Sequence, residues 1–360
     1  MHSNRFFSLL FLGIASVAHA QPVPELVVDV QTAPNVAQSS WGMIETIGQP
    51  TARHEAALVA HQGLVYLMGG RRINPVEVFD PVTRTWAAKG ESPMELHHFQ
   101  SVSLGDSIYM VGAMNGRYPT ESPLEKVVVY HPATDTFEFV HHIPETRRRG
   151  GAGAAVYDGK IYIVGGITNG HQDGYVPWFD RYDPTTGDWD MMPDAPHARD
   201  HFQAVVVGHY LYALAGRTTS QRTNHTFDLT VPEVDVFDFT TGAWLPSGTV
   251  ENLPTPRAGN MAAVIDGKII IGGGESGSLK VAHEDVESLD PVTGKWSRWP
   301  SLARGRHGSG FAVIDEVIYT AAGSGGRGGA PELSSTESLK LDSIMVDDST
   351  GETPRDSRER

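Results

Sequence analysis

The 360-residue chain contains no cysteine. That absence excludes disulfides, thiolate metal sites, a cysteine nucleophile and a lipid anchor on cysteine. Long apolar runs are also missing: beyond the first twenty residues nothing approaches the roughly 18 consecutive apolar residues that a membrane helix requires. Basic residues are scarce, with 28 Lys and Arg against 43 Asp and Glu and a formal net charge of −15. Such a balance speaks against a nucleic-acid partner, because phosphate binding needs a basic face. It leaves room for a small anionic ligand, since a local field can oppose the global charge.

The two ends read differently from the middle. Residues 1–20 have the form of a secretory signal peptide: Arg5, an apolar run from Phe6 to Val17, then Ala18-His19-Ala20 as a small-x-small cleavage site. The expected mature protein begins near Gln21 and is secreted or periplasmic, without membrane insertion. Residues 343–360 are polar and charged and read as a disordered tail. Asn224-His225-Thr226 is a formal glycosylation sequon.

What fills the middle is one phrase returning six times. It runs RHEAALVAHQGLVYLMGG from Arg53, LHHFQSVSLGDSIYMVGA from Leu96, RGGAGAAVYDGKIYIVGG from Arg149, RDHFQAVVVGHYLYALAG from Arg199, RAGNMAAVIDGKIIIGGG from Arg257 and RHGSGFAVIDEVIYTAAG from Arg306. A period near fifty residues signals a repeat architecture. Each phrase divides into two short apolar strands with a tight turn between them, such as Asp158-Gly159. A third strand and a fourth follow, as in VEVFDPVTRTW ending at Trp86 and VESLDPVTGKW ending at Trp296. Four antiparallel strands per unit, repeated radially, describe a propeller blade. The sixth unit lacks its fourth strand, and SSWGMIE around Trp41 supplies it from the other end. The prediction is an all-β, six-bladed propeller over residues 21–342, closed by its N-terminal strand.

The glycine pair closing the second strand and the tryptophan opening the fourth resemble the kelch-repeat family over roughly residues 40–341. Gly-Ala at 112–113, Ala-Gly at 215–216 and 322–323, and Phe137 in place of tryptophan are mild departures. The resemblance implies that the first strand of each blade lines a central channel, and that its start opens on the same face as the loop between strands two and three. Galactose oxidase, an exported kelch protein, depends on a cysteine cross-linked to tyrosine, so its copper-radical cofactor is excluded here. The exported kelch-type sialic-acid mutarotases are similar in size, export and an arginine-rich mouth.

The first three positions of each phrase therefore carry the candidate site. Arg53, Arg149, Arg199, Arg257 and Arg306 share one point around the ring, where arginine either binds ligand or bridges the scaffold. At the next two positions His54, Glu55, His98, His201 and His307 are not demanded by a scaffold, whereas blades three and five carry small residues there. His54, His98, His201 and His307 are the candidate catalytic bases. The five arginines with Glu55, Asn115, His171, Arg217 and Glu275 are the candidate ligand-binding residues, and Tyr118 and Tyr175 are further acid candidates. Gly150-Gly151-Ala152-Gly153 and the glycine run from Gly323 are strand entry and blade loop, since neither precedes a helix or a Lys-Ser/Thr.

Three chemistries fit this inventory. One is recognition of an anionic small molecule or glycan by planar guanidinium donors. Another is lyase or epimerase-type proton transfer on a sugar acid, with arginine neutralising the carboxylate and histidine moving the proton. The third is a divalent metal site built from His97 or His98, His201 and His307, with Glu55. Glycosidic hydrolysis needs two positioned carboxylates, for which Glu55, Asp200 and Glu275 are available. A rival from another class is a protein-interaction module that holds an acidic peptide or loop on the same face.

Overall fold

A computed structural model describes residues 40–341; the proposed leader at 1–20 and the tail at 343–360 lie outside the described residues. Six four-stranded antiparallel sheets are present. Blade one is built from Ala56–His61, Leu64–Gly69, Pro75–Asp80 and Thr85–Glu91, and the other blades repeat that order. In the sixth, Ala312–Ile314, Val317–Ala321 and Thr336–Lys340 are joined by Gly42–Met43 from the chain's beginning. Gly42 pairs with Ser338 and Met43 with Glu337, as the incomplete sixth repeat implied. Among the described residues no helix is long and apolar enough to cross a membrane.

Local chemistry explains each feature. Asp158 and Gly159 take φ of 47° and 69°, the two positive values that a type I′ hairpin turn demands. The glycine pair serves contact between blades. A Cβ on Gly165 would lie 2.5 Å from the Arg199 carbonyl oxygen of the next blade. Gly166 then donates its backbone N–H to that same carbonyl at 2.8 Å. Equivalent bonds run from Gly70 to Leu96, Gly216 to Arg257, Gly274 to Arg306 and, closing the ring, Gly323 to Arg53. The core is a set of clusters between adjacent blades; Val102, Val111 and Ile143 of blade two, for example, pack on Ala154 and Ile163 of blade three.

Candidate functional site

The five phrase-leading arginines are buried to within 2% of complete and face into their own blades. Each pairs with a carboxylate on the third strand: Arg53 with Glu77, Arg149 with Asp180, Arg199 with Asp235, Arg257 with Glu287 and Arg306 with Glu337. Their remaining donors go largely to backbone carbonyls, as Arg199 does to Ala215 and Glu233, both at 2.9 Å. The expectation that these arginines bind ligand is therefore corrected: their terminal nitrogens are directed to the scaffold, the Nε atoms of Arg199, Arg257 and Arg306 are buried without a partner, and the five side chains are shut away from the cleft. Blade two supports this reading. It has Leu96 in place of arginine, and Val128 stands opposite Met110, the register position that the acids occupy elsewhere. Both Leu96 and Val128 are buried in one apolar cluster, so ion pair and apolar pair replace one another as units.

Two positions further on, the chain forms a continuous ring around the axis. The N–H of His98 donates to the Glu55 carbonyl at 3.2 Å, Gly151 to His98 at 2.7 Å, His201 to Gly151 at 2.7 Å and Gly259 to His201 at 2.6 Å. Gly308 donates to Gly259 at 3.0 Å, and Ala56 to Gly308 at 3.1 Å, which completes the circle. All six third-position residues adopt left-handed backbone, with φ between 54° and 64°. Glycine does so freely, but Glu55, His98 and His201 carry side chains at a cost of about 1–2 kcal/mol each. Strain of this kind, held by a surrounding hydrogen-bonded ring, marks the position where side-chain chemistry is placed.

Above the ring, on the face of the loops between strands two and three, lies an open cleft of about 730 Å³. Glu55, His171, Arg217 and Glu275 form part of its wall, with Arg71, Arg72, Arg117, Tyr118 and His54 towards the rim. A small cavity of about 40 Å³ sits at the ring itself, lined in part by Glu55, His98 and His201, and holds space for a water or an ion.

The titratable groups at the floor form one connected system. His97 Nε2 donates to the Gly116 carbonyl at 3.1 Å, so its Nδ1 accepts from His98 Nδ1 at 2.6 Å. His98 Nε2 is thereby left as a lone pair, buried without a hydrogen bond and 3.3 Å from Glu55 Oε2. Burial and the neighbouring His97 hold the His98 ring well below the ordinary imidazole value. His201 Nδ1 bonds the Asp200 carboxylate, which Thr219 and its backbone N–H also fix. His171 Nδ1 lies 3.0 Å from Glu121 Oε2, close enough to pair although not aligned as a hydrogen bond. Burial raises the Glu121 carboxyl, but His171 and Arg71 outweigh it and hold it at about 2. Burial likewise raises Glu55, yet the fields of His307, His54 and His201 bring it below its ordinary value. At neutral pH Glu55 is thus a carboxylate with its side chain 14% exposed, the acceptor at the floor that a bound molecule can reach.

Of the expected residues, Glu55, His98, His171, His201, His307, Arg217 and Glu275 come together here. Arg217 donates to Glu275 at 2.5 Å, and His307 Nε2 to the Gly328 carbonyl at 2.6 Å. His54 stands at the rim, paired with Glu332 at 2.8 Å. Asn115 belongs to the small hairpin Met114–Asn115 with Ser122–Pro123 and does not line the cleft. The Trp178 ring, an aromatic face on which a sugar could stack, is covered by the Arg147 guanidinium 4.5 Å from its centroid. Glu121 was missed; it sits in a loop with no repeat register, and only its buried contacts with Arg71 and His171 reveal it.

Fold and repeat together define a kelch-repeat β-propeller. The chain belongs to that family: the KLHDC2/KLHL20/DRC7 Kelch-repeats domain matches residues 98–326, and the Kelch motif matches residues 52–88. Kelch-like protein terF of Aspergillus terreus is 26% identical over 339 residues, covering 88% of this chain and 69% of that protein. Alpha-scruin of Limulus polyphemus is 30% identical over 248 residues, which are 64% of this chain but 25% of that much longer protein. Among solved structures, that of YjhT superimposes with a TM-score of 0.67 at 15% identity, covering 83% of this chain and 98% of that one. At that identity the likeness concerns the fold alone.

Proposed function

We propose that this propeller binds a small anionic molecule, a carbohydrate acid being the class that suits it, in the loop-face cleft, and that Glu55 moves a proton on the bound ligand. The observation that carries this reading is the strained, left-handed placement of Glu55, His98 and His201 at the cleft floor, where three other blades keep glycine. The cleft volume falls within the range of small-molecule sites. Its wall holds four arginines; Arg71, Arg72 and Arg217 are paired with Glu121, Glu332 and Glu275, which leaves Arg117 as the guanidinium without a carboxylate partner among the described residues. An arginine on the ligand carboxylate would acidify the adjacent C–H, and ionised Glu55 is the base to receive that proton, a lyase or epimerase-type step. Residues 1–20, which read as a secretory leader, would place this action outside the cytoplasm.

Uronic acids, sialic acid and sulfated glycans, screened by thermal shift and then in D2O by NMR for C–H exchange, test the reading. At least one acid is expected to raise the melting temperature, and Arg117→Ala and Glu55→Gln to weaken binding and abolish exchange respectively. If every anion leaves melting unchanged, the ligand class is wrong.

A second reading has its own support. Ile73, Tyr118, Tyr175, Leu279 and Val281 are large apolar side chains exposed on the loops of this same face. Such a rim suits docking of an acidic peptide or loop from a protein partner. Acidic peptides labelled for fluorescence anisotropy distinguish it, with Tyr118→Ser expected to weaken that mode and spare small-acid binding.

A further inference from the structure

The His171 and His201 Nε2 atoms lie 2.9 Å apart. Each ring has its Nδ1 against a carboxylate, Glu121 for His171 and Asp200 for His201, and a carboxylate can only accept. Both Nδ1 atoms therefore carry the hydrogen, and the two facing Nε2 atoms both present lone pairs. His98 adds a third lone pair, because the relay from Gly116 through His97 fixes its tautomer with Nε2 unprotonated. Ring centroids are 4.9 Å apart for His98–His171, 4.9 Å for His98–His201 and 4.7 Å for His171–His201, and each pair is steeply inclined. One nitrogen from each ring falls within 4.8 Å of the other two.

Three lone pairs converging at a buried point repel unless a cation sits among them. A proton shared between the His171 and His201 Nε2 atoms satisfies those two and leaves the buried His98 Nε2 without a partner. A metal ion satisfies all three. Bonds of about 2.0–2.1 Å in tetrahedral geometry place ligand nitrogens roughly 3.3 Å apart, so His171 and His201 need open by only about 0.4 Å. The outer contacts have the form that ligating histidines take, the far nitrogen held by a carboxylate or by a relay to a carbonyl.

We propose that His98, His171 and His201 form a three-histidine site for one divalent first-row transition ion, zinc being the one tetrahedral imidazole ligation suits, with the fourth position open toward Glu55. Three neutral imidazoles without thiolates are a borderline donor set, suited to zinc and unsuited to calcium or magnesium. The cavity of about 40 Å³ beside Glu55 gives space for a water or a ligand oxygen at the fourth position. The site stands whatever the cleft binds, since it rests on the histidines alone.

The test uses the mature chain, stripped with a chelator and titrated with zinc chloride by calorimetry, and with cobalt(II) by visible absorption. One zinc per chain is expected, with a raised melting temperature and the d–d band of tetrahedral cobalt. His98→Gly and His201→Gly put in the residue that other blades use at that point, and His171→Ala lies in a loop, so these variants keep the fold. Each should weaken zinc by at least about 100-fold, and Glu121→Gln by about 10–100-fold. His54→Ala should leave binding unchanged. Absence of stoichiometric binding at micromolar zinc overturns the site. So does equal binding by the triple variant His98→Gly/His171→Ala/His201→Gly, which would place the ion elsewhere, for example at His141 and His142.

Discussion

Arg257 donates to Glu287 Oε2 across 2.6 Å, with side chains 0% and 4% exposed, and the same two positions of blade two hold Leu96 and Val128. Removing one member strands a buried charge, whereas replacing both with apolar groups removes the desolvation cost along with the attraction. Arg257→Leu alone should destabilise by about 3–5 kcal/mol. The double variant Arg257→Leu/Glu287→Val should recover at least half of that, read by urea denaturation as a double-mutant cycle. Additive losses would show that the two positions are not coupled.

Blade count, strand order and ring closure were legible because each depends on local signals repeated in register. The role of the arginines was not, although its signal was present. An acid stands on the third strand wherever the phrase begins with arginine, and both change together in blade two. The floor was half legible. His98, His201 and Glu55 stood out as residues the scaffold does not require. Their left-handed backbone, which tells that they are held under strain, has no signature in one sequence beyond glycine at the three equivalent points. His171 and Glu121 come from loops outside the register, and only folding brings them within reach of His201.

Third-position residues set stability against function. Glu55→Gly relieves the left-handed side chain and should hold or raise stability while abolishing C–H exchange on the bound acid. The converse changes should cost stability. Gly308→Ala, whose Cβ would meet the Glu55 backbone nitrogen at 2.7 Å, should lose about 1–3 kcal/mol. Gly151→Ala, whose nearest contact is 3.3 Å, should lose about 1 kcal/mol. Chemical denaturation reads all three, and a fall of more than about 1 kcal/mol for Glu55→Gly contradicts the strain argument.

Acid should weaken the fold through Glu275. Burial raises its carboxyl, but His307, Arg217 and the Gly328 N–H outweigh that and hold it at about 2 against an ordinary 4.5. A group depressed on folding contributes stability that is complete above the unfolded value and is lost as pH falls toward the folded one. The window for Glu275 is therefore about pH 4.5 down to about 2. Glu275→Gln strands Arg217, so it should be less stable at pH 7 yet show a shallower loss across that window. Melting temperatures from pH 7 to 2.5 decide it, and parallel curves for both proteins would remove Glu275 from the account.

Closure of the ring depends on a very short segment. Among the described residues only Gly42 and Met43 pair as a strand with the sixth blade, assisted by Ile44 N–H to the Thr336 carbonyl at 3.0 Å. Ile47 then exchanges backbone bonds with Arg84 and Trp86 of blade one, so the segment staples the last blade to the first. Most of the burial comes from Trp41, 5% exposed and stacked on Phe311 with centroids 5.3 Å apart. Trp41→Ala should cost about 3–5 kcal/mol, the range for emptying a large aromatic site. Deleting residues 38–46 should abolish cooperative unfolding altogether, because the sixth blade then presents an unpaired edge and the first loses its neighbour. A synthetic peptide spanning 38–47, added in trans, should restore a concentration-dependent transition, since it supplies the missing strand without the covalent link. A deletion variant that melts as sharply and as high as the intact chain would mean that the glycine-to-carbonyl bonds between blades, Gly323 to Arg53 among them, close the ring unaided.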